Sequence, residues 1–154
     1  MAFELPYPFF FLLLVQILPF SIIARTYNNI SSGSSLSAKD NNNSVWCSPS
    51  GEFSFGFQKI GSDGGFILAI WFNKIPEKTI IWSANGNNPV QQGSTVESTA
   101  HGQLMLNDIA KGKQKRIADF GGIGVAYAAM LDTRNFVLAN GNSNNLREGF
   151  DQPN

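Results

Sequence analysis

The stretch Phe66–Asn88 constrains the fold more than any other part of this chain. It contains two apolar runs, Phe66–Phe72 and Ile80–Trp82, separated by the polar, proline-containing break Asn73–Thr79. Short runs of this kind, rich in Ile, Phe and Trp, are too short for ordinary helices and favour buried strands. Asn85–Pro89 ends the second run, because Gly and Asn tolerate positive φ and Pro fixes its own φ. The sequence therefore predicts a strand, a turn and a second strand.

Alternating patterns predict further short strands. In Gly51–Phe57 the three phenylalanines fall on one face and Glu52, Ser54 and Gly56 on the other, which is typical of a half-buried strand. A faint internal repeat joins a turn residue to a polar residue and then to alternating apolar side chains, at Gly51–Phe55, Gly102–Leu106 and Arg134–Leu138. Weaker strand-like runs lie at Thr95–Thr99, Leu104–Leu106, Val125–Leu131 and Phe136–Ala139. The residues alone predict an all-β domain of many short strands.

The N-terminus resembles a secretory signal peptide. Phe9–Val15 is an unbroken apolar run that continues at Ile17–Ile23, and Ala24 is a small residue suited to cleavage. Glu4 and the lack of Lys or Arg before the run leave a retained anchor as the alternative, although the segment is shorter than the ~20 residues that a spanning helix prefers. No later segment is apolar for long enough to span a bilayer. We expect a signal peptide at 1–24, a polar N-terminal arm or irregular first strand at 25–44, and one domain at 45–154.

Two sequons mark candidate N-glycosylation sites. Asn29 begins Asn29-Ile30-Ser31, and Asn42 begins Asn42-Asn43-Ser44. Glycosylation and unmodified loop asparagines both remain open for each position.

The charge balance argues against a nucleic-acid partner or an anionic membrane surface. The chain has 11 basic and 11 acidic residues, so its formal net charge is zero. The cluster of basic residues at Lys111–Arg116 is interpreted as a solvated hairpin.

No pattern typical of catalysis or metal binding occurs in the sequence. Cys47 is the single cysteine, so the chain forms no internal disulfide, and the thiol is either buried as a small hydrophobe or exposed. His101, the single histidine, stands beside Gly102 in a predicted turn and forms no Cys–His pattern with Cys47. The acidic residues show no paired spacing. We therefore predict no enzyme activity, no catalytic residues, no metal and no cofactor.

Three segments resemble, in order, the bulb-type (mannose-lectin-like) domain of plant G-type lectin S-receptor-like serine/threonine kinases. The likeness covers roughly residues 45 to 151, with its clearest motifs at Ser48–Phe57, Ala69–Asn85 and Met130–Leu138. It implies a β-prism II fold of three antiparallel sheets about a pseudo-threefold axis, with aromatic side chains at the centre. Relatives run on beyond the end of this chain into further modules and a kinase domain, so the resemblance predicts a chain truncated before the kinase region.

The resemblance also implies where a sugar would bind. Mannose sites in the family follow Gln-x-Asp-x-Asn-x-Val-x-Tyr on a strand, where alternate side chains share one face and hydrogen-bond the sugar hydroxyls. In the third unit Asn135 and Val137 match this pattern, whereas Leu131, Thr133 and Ala139 do not. The corresponding positions of the second unit are Thr99, His101, Gln103, Met105 and Asn107, and those assigned to the first are Ser48, Ser50, Glu52, Ser54 and Gly56. Our candidate carbohydrate contacts are Asn135, Val137 and Gln103.

Arg134 departs from the resemblance, because relatives carry glycine in this turn. If the turn needs positive φ, arginine there costs on the order of 1 kcal/mol.

The leading hypothesis is a secreted, non-catalytic recognition module, in the apoplast or at the cell surface, for a mannose-type or other glycan or ligand. The alternative is a protein-interaction module that pairs with receptor-kinase ectodomains without binding sugar. A third hypothesis, a product that folds poorly, is motivated by Arg116, Arg134 and Arg147.

Overall fold

The computed structural model describes residues 29–40, 44–119, 125–140 and 146–148. Among these residues all regular structure is β, with no helix. The strands are β1 Ile30–Ser31, β2 Ser35–Ser37, β3 Trp46–Cys47, β4 Phe53–Ile60, β5 Gly65–Phe72, β6 Ile80–Ser83, β7 Thr95–Ser98, β8 Gln103–Asp108, β9 Lys113–Asp119, β10 Val125–Met130, β11 Phe136–Asn140 and β12 Leu146–Glu148.

The strands form three four-stranded sheets. Sheet 1 has the order β1-β10-β11-β12, sheet 2 the order β2-β7-β8-β9, and sheet 3 the order β3-β4-β5-β6. The ladders within them are antiparallel. Each sheet thus combines one short strand from the first part of the chain with three consecutive later strands. This threefold arrangement confirms the all-β class and agrees with the β-prism fold of bulb-type lectins.

The strands β4 and β5 form the longest ladder, from Phe53 opposite Phe72 to Ile60 opposite Gly65. The three alternating phenylalanines of β4 face the central core, as the sequence predicts. The other face of β4 is also buried, with Ser54 at 0% exposure. A Cβ atom at Gly56 would lie 3.3 Å from Val45 and 3.4 Å from the ring of Trp71, so these side chains cover that face. The expectation of a half-buried strand is therefore wrong. The face expected to be exposed to solvent is covered by Val45 and by Trp71 from the neighbouring strand β5.

One core receives side chains from all three sheets. Sheet 3 contributes Phe53, Phe55 and Phe57, and sheets 1 and 2 add Phe136 and Leu104. The rings of Trp46, Phe55 and Phe136 stack on one another, with centroid separations of 4.7–5.7 Å. The predicted aromatic centre is present, and it joins sheet 1 to sheet 3.

The internal repeat is present, but its first member lies elsewhere. Strands β5, β8 and β11 occupy the same third place in their sheets, and the residue at the end of the turn before each has positive φ: Gly64 at 80°, Gly102 at 73° and Arg134 at 71°. Gly51, the predicted first member, has a similar φ of 71°, but its turn joins β3 to β4. The sequence pattern was misleading because the Gly51 and Gly64 turns have similar backbone conformations. They differ in the strand that follows, which is β4 after Gly51 and β5 after Gly64.

Two other expectations are refined by the structure. The segment 25–44, which was predicted to be a loose arm or an irregular first strand, contains β1 and β2. Their residues Ile30 and Leu36 are buried in the core. The run Ile80–Trp82 forms a strand, but Ile80 is 41% exposed because β6 lies at the edge of sheet 3. The predicted signal peptide at 1–24 and the sequon asparagine Asn42 lie outside the described residues.

Candidate functional site

The predicted sugar contacts lie on two different sheets. Gln103 begins β8 in sheet 2, whereas Asn135 directly precedes β11 and Val137 lies within it in sheet 1. Gln103 follows Gly102 and Asn135 follows Arg134, the two positive-φ residues of equivalent turns. The structure therefore places Gln103 and Asn135 at corresponding positions of separate faces, and the three residues do not form one site.

Gln103 belongs to a hydrogen-bonded polar row on the outer face of sheet 2. Its side-chain Nε2 donates to Asp119 Oδ2 at 3.1 Å, and Arg116 donates to the same oxygen at 2.6 Å. Its backbone N–H donates to Thr99 Oγ1 at 3.1 Å, which fixes the start of the strand. The sequence contained no signal for the link to Asp119, which depends on β9 pairing with β8 so that the two residues lie opposite each other.

Asn107 continues this row two strand positions beyond Met105. Its Nδ2 donates to Thr95 Oγ1 at 3.1 Å on the neighbouring strand. Its Oδ1 is buried and has no hydrogen-bond partner within the described part of the chain. Glu97 lies opposite Met105 and is partly exposed. Sheet 2 therefore presents amide, hydroxyl and carboxylate groups on one face, which is the chemistry that sugar hydroxyls require.

The equivalent face of sheet 1 is less accessible. Asn135 is partly exposed, and its backbone oxygen accepts from Leu131 N–H at 2.9 Å across the turn. Val137 is 1% exposed and Ala139 is also 1% exposed. Of the two predicted sugar contacts on this sheet, Asn135 is accessible to a ligand, whereas Val137 is buried.

On the equivalent face of sheet 3, the side chains of the central strand β5 are apolar. Because β5 is the counterpart of β8 and β11, the positions matching Gln103 and Met105 are Gly65 and Ile67, and not Glu52 and Ser54. Ile67 packs with Ala69 and Trp71 in a small second cluster. The positions assigned to the first unit are thus corrected. Gly65 and Ile67 carry no hydrogen-bonding side chain, whereas Asp63 stands at the position of His101 and accepts from Ser62 Oγ at 3.2 Å.

Asp132 has a contact that the sequence did not predict. Its Oδ1 accepts from Ser50 Oγ at 2.6 Å and from Ser50 N–H at 3.1 Å. The two residues lie 82 positions apart and come from turns of different sheets. Asp132 therefore joins neighbouring turns.

The described residues contain no group of three or more His, Cys, Asp or Glu side chains that could hold a metal ion. Cys47 is half-buried, and its Sγ lies 3.1 Å from Ser54 Oγ. The described part of the chain also contains no helix that is long and apolar enough to cross a membrane.

The searches for similar proteins identify the relatives. No protein-family model matches the chain. The G-type lectin S-receptor-like serine/threonine-protein kinase LECRK4 of Oryza sativa subsp. indica is 41% identical over 139 residues, which is 86% of this chain and 17% of the relative. LECRK2 of the same rice is 40% identical across 95% of this chain and 19% of the relative. The Arabidopsis thaliana kinase RLK1 is 40% identical across 82% of this chain and 16% of the relative.

Over most of its length, this chain resembles the lectin region of G-type lectin S-receptor-like kinases. The resemblance inferred from the motifs is thereby confirmed. The chain spans less than a fifth of the length of these relatives, so this lectin-like region corresponds to a small part of each kinase.

Proposed function

We propose that this lectin-like chain is a non-catalytic extracellular module that recognises a carbohydrate or a related ligand. The observation that carries the proposal is 40–41% identity to lectin receptor kinases over most of this chain. The apolar N-terminal segment at 1–24 supports secretion to the apoplast or the cell surface. Exposure of Asn29, just before β1, supports its use as a glycosylation site, whereas Asn42 is supported by its sequon alone.

The outer face of sheet 2 is the surface that best supports recognition. Gln103 and Asn107 provide amides at alternate positions of β8, and Thr95 and Glu97 lie opposite on β7. Asn107 Oδ1 is an acceptor without a partner among the described residues. Asn135 on sheet 1 is a second contact, where the burial of Val137 restricts the surface available to a sugar. A shallow face of this kind gains affinity when several copies act together.

A glycan panel that includes mannans tests this function. The secreted protein should bind at least one glycan saturably, and free sugar should compete. Gln103→Ala should weaken binding, and Asn135→Ala should weaken it less. Gln91→Ala, at an exposed glutamine in the loop before β7, is the matched control and should bind as the parent does. Absence of binding by protein that is folded by circular dichroism would overturn the lectin function.

The second candidate function is pairing with receptor-kinase ectodomains without sugar. It is favoured by the motif positions that lack sugar-bonding side chains, which are Leu131 and Ala139 on sheet 1 and Gly65 and Ile67 on sheet 3. Co-precipitation with a receptor ectodomain that persists in excess free sugar would support this candidate. Complete loss of co-precipitation on adding sugar would support the lectin function instead.

A further inference from the structure

A pocket of about 300 Å³ lies on the outer face of sheet 3. Trp71 and Val45 form its apolar part, and polar side chains form the rest, including Lys39, Lys59 and Lys78. This volume is at the lower end of the range for small-molecule sites, which is roughly 300–1,000 Å³. The pocket uses none of the positions of the mannose motif, so it is distinct from the polar row on sheet 2.

The pocket carries excess positive charge in a chain whose formal net charge is zero. Its lining has three lysines and one aspartate, Asp40. Lys59 pairs with Asp40 at 2.6 Å, but both side chains are about half exposed, at 44% and 53%. An exposed pair of this kind is weakly held and exchanges readily with another anion.

The other two lysines have no carboxylate partner in the described part of the chain. Lys78 Nζ donates to the backbone oxygen of Asn73 at 2.6 Å and to its Oδ1 at 2.9 Å, and both acceptors are neutral. Lys39 is exposed and makes no ion pair with any described residue. Two ammonium charges at one concave surface attract an anion more strongly than the same charges spread over a convex one.

The backbone at Lys78 is in the left-handed region, with a φ of 48°. A side chain other than Gly, Asn or Asp is unfavourable there, and such conformations cluster at ligand sites. The ammonium group of this residue bonds Asn73, which also lines the pocket.

One further polar side chain, that of Gln58, accompanies the lysines. Gln58 lines the pocket and is partly exposed, and its side-chain amide makes no hydrogen bond with any described residue. Trp71 Nε1 is buried and has no acceptor among the described residues. Because Nε1 is inaccessible to solvent, Trp71 contributes apolar surface to the pocket and no hydrogen bond.

We propose that this pocket binds the carboxylate of an acidic saccharide. Lys39 and Lys78 hold the carboxylate, the Gln58 amide bonds the ring hydroxyls, and Val45 and Trp71 contact the apolar sugar carbons. The proposal rests on the proposed recognition function and adds the ligand class, a sugar that carries negative charge.

The test compares a galacturonate trimer with a galactose trimer, whose rings differ in having CH₂OH in place of the carboxylate. Isothermal titration of the secreted protein should show binding of the galacturonate trimer and at least about tenfold weaker binding of the galactose trimer, because hydrogen bonds to charged groups are the strong ones. Binding should weaken as salt is raised, since the lysines are exposed.

The double variant Lys39→Gln/Lys78→Gln should bind the galacturonate trimer about tenfold or more weakly. The matched control Lys111→Gln/Lys113→Gln makes the same charge change in the hairpin between β8 and β9, away from the pocket lining, and should bind within about twofold of the parent. Circular dichroism should be unchanged for both variants. Equal losses in the two double variants would show nonspecific attraction and overturn the proposal.

The outcomes separate this proposal from the function on which it rests. Binding of neutral glycans that depends on Gln103, without binding of the galacturonate trimer, would overturn the pocket proposal and leave the lectin function standing. Binding of neither class by folded protein would overturn both. Galacturonate binding that the Lys39→Gln/Lys78→Gln variant loses would support both.

Discussion

Arg134 holds a left-handed backbone conformation, with a φ of 71°, at the turn that leads into β11. The equivalent positions before β5 and β8 are glycines, Gly64 and Gly102, with nearly the same φ. A Cβ atom makes this conformation unfavourable, whereas glycine adopts it freely. The turn is nevertheless closed by the bond from Arg134 N–H to Leu131 O at 3.2 Å, so the surrounding structure imposes the conformation.

We therefore expect Arg134→Gly to raise the free energy of unfolding by about 1 kcal/mol, because it removes the strain. Urea denaturation measures the change. The matched control is Lys39→Gly, an exposed position outside the positive-φ residues, which should not be stabilised. An unchanged or lowered stability for Arg134→Gly would contradict the strain argument.

Asn85 is a polar residue that the core depends on. It is 6% exposed, and its Oδ1 accepts from Leu68 N–H at 2.7 Å. Its Nδ2 donates to Phe66 O at 3.3 Å and to Asn88 O at 3.1 Å. One side chain thus satisfies backbone groups of both the central strand β5 and the turn after β6.

Asn85→Ala should lower the free energy of unfolding by about 2–3 kcal/mol, since it leaves buried backbone groups without partners. Asn87→Ala, at an exposed position of the same turn, should change it by less than about 0.5 kcal/mol. Urea unfolding of the two variants beside the parent gives both values. Equal effects would mean that the turn sequence matters and the buried hydrogen bonds do not.

At the scale of elements, the contact between Ser50 and Asp132 joins the turn before β4 to the turn before β11. The two turns belong to sheets 3 and 1, so the contact limits how these sheets move relative to each other. A carboxylate that accepts two hydrogen bonds from one residue holds it in a defined geometry.

A double-mutant cycle of Ser50→Ala and Asp132→Ala should give an interaction energy of about 1 kcal/mol, since the two residues are in direct contact. The cycle is needed because Asp132 has further interactions that the single variant also removes. Ser62→Ala combined with Asp132→Ala is the control, since Ser62 bonds Asp63 in a different turn. Additive effects for Ser50 and Asp132 would show that the contact contributes nothing to stability.

At the scale of the whole molecule, the three sheets share one core. The aromatic stack of Trp46, Phe55 and Phe136 crosses from sheet 3 to sheet 1, and Val96 and Leu104 enter the same core from sheet 2. A sheet that lost its partners would expose its inner face to water, so we expect the sheets to unfold together.

Phe136→Ala, in sheet 1, should lower the free energy of unfolding by about 3–5 kcal/mol. The three tryptophans all lie in strands of sheet 3, and although Trp46 stacks on Phe136, Trp71 and Trp82 report a sheet other than the mutated one. Fluorescence and circular dichroism should still give one coincident transition, shifted to lower denaturant. A fluorescence midpoint unchanged by the substitution would show that sheet 3 unfolds independently.

The sequence alone was sufficient to identify the β class and most strands. The runs Phe66–Phe72, Thr95–Thr99 and Phe136–Ala139 each appear as strands within one residue of their predicted ends. Strand formation depends on the alternation and β-branched or aromatic content of neighbouring residues, which the sequence displays directly. The resemblance also pointed to Arg134, because relatives carry glycine in this turn, and the backbone there has the positive φ that such a glycine allows.

Tertiary structure decided which strands are equivalent and which faces are open. The Gly51 and Gly64 turns both reach positive φ, and only the order of strands in sheet 3 shows that β5, and not β4, corresponds to β8 and β11. The pairing of Asp132 with Ser50 likewise joins chain segments that are 82 positions apart in sequence. Local patterns determine which residues form strands, whereas the accessibility of a site depends on what packs over it, and that is set by contacts between distant segments.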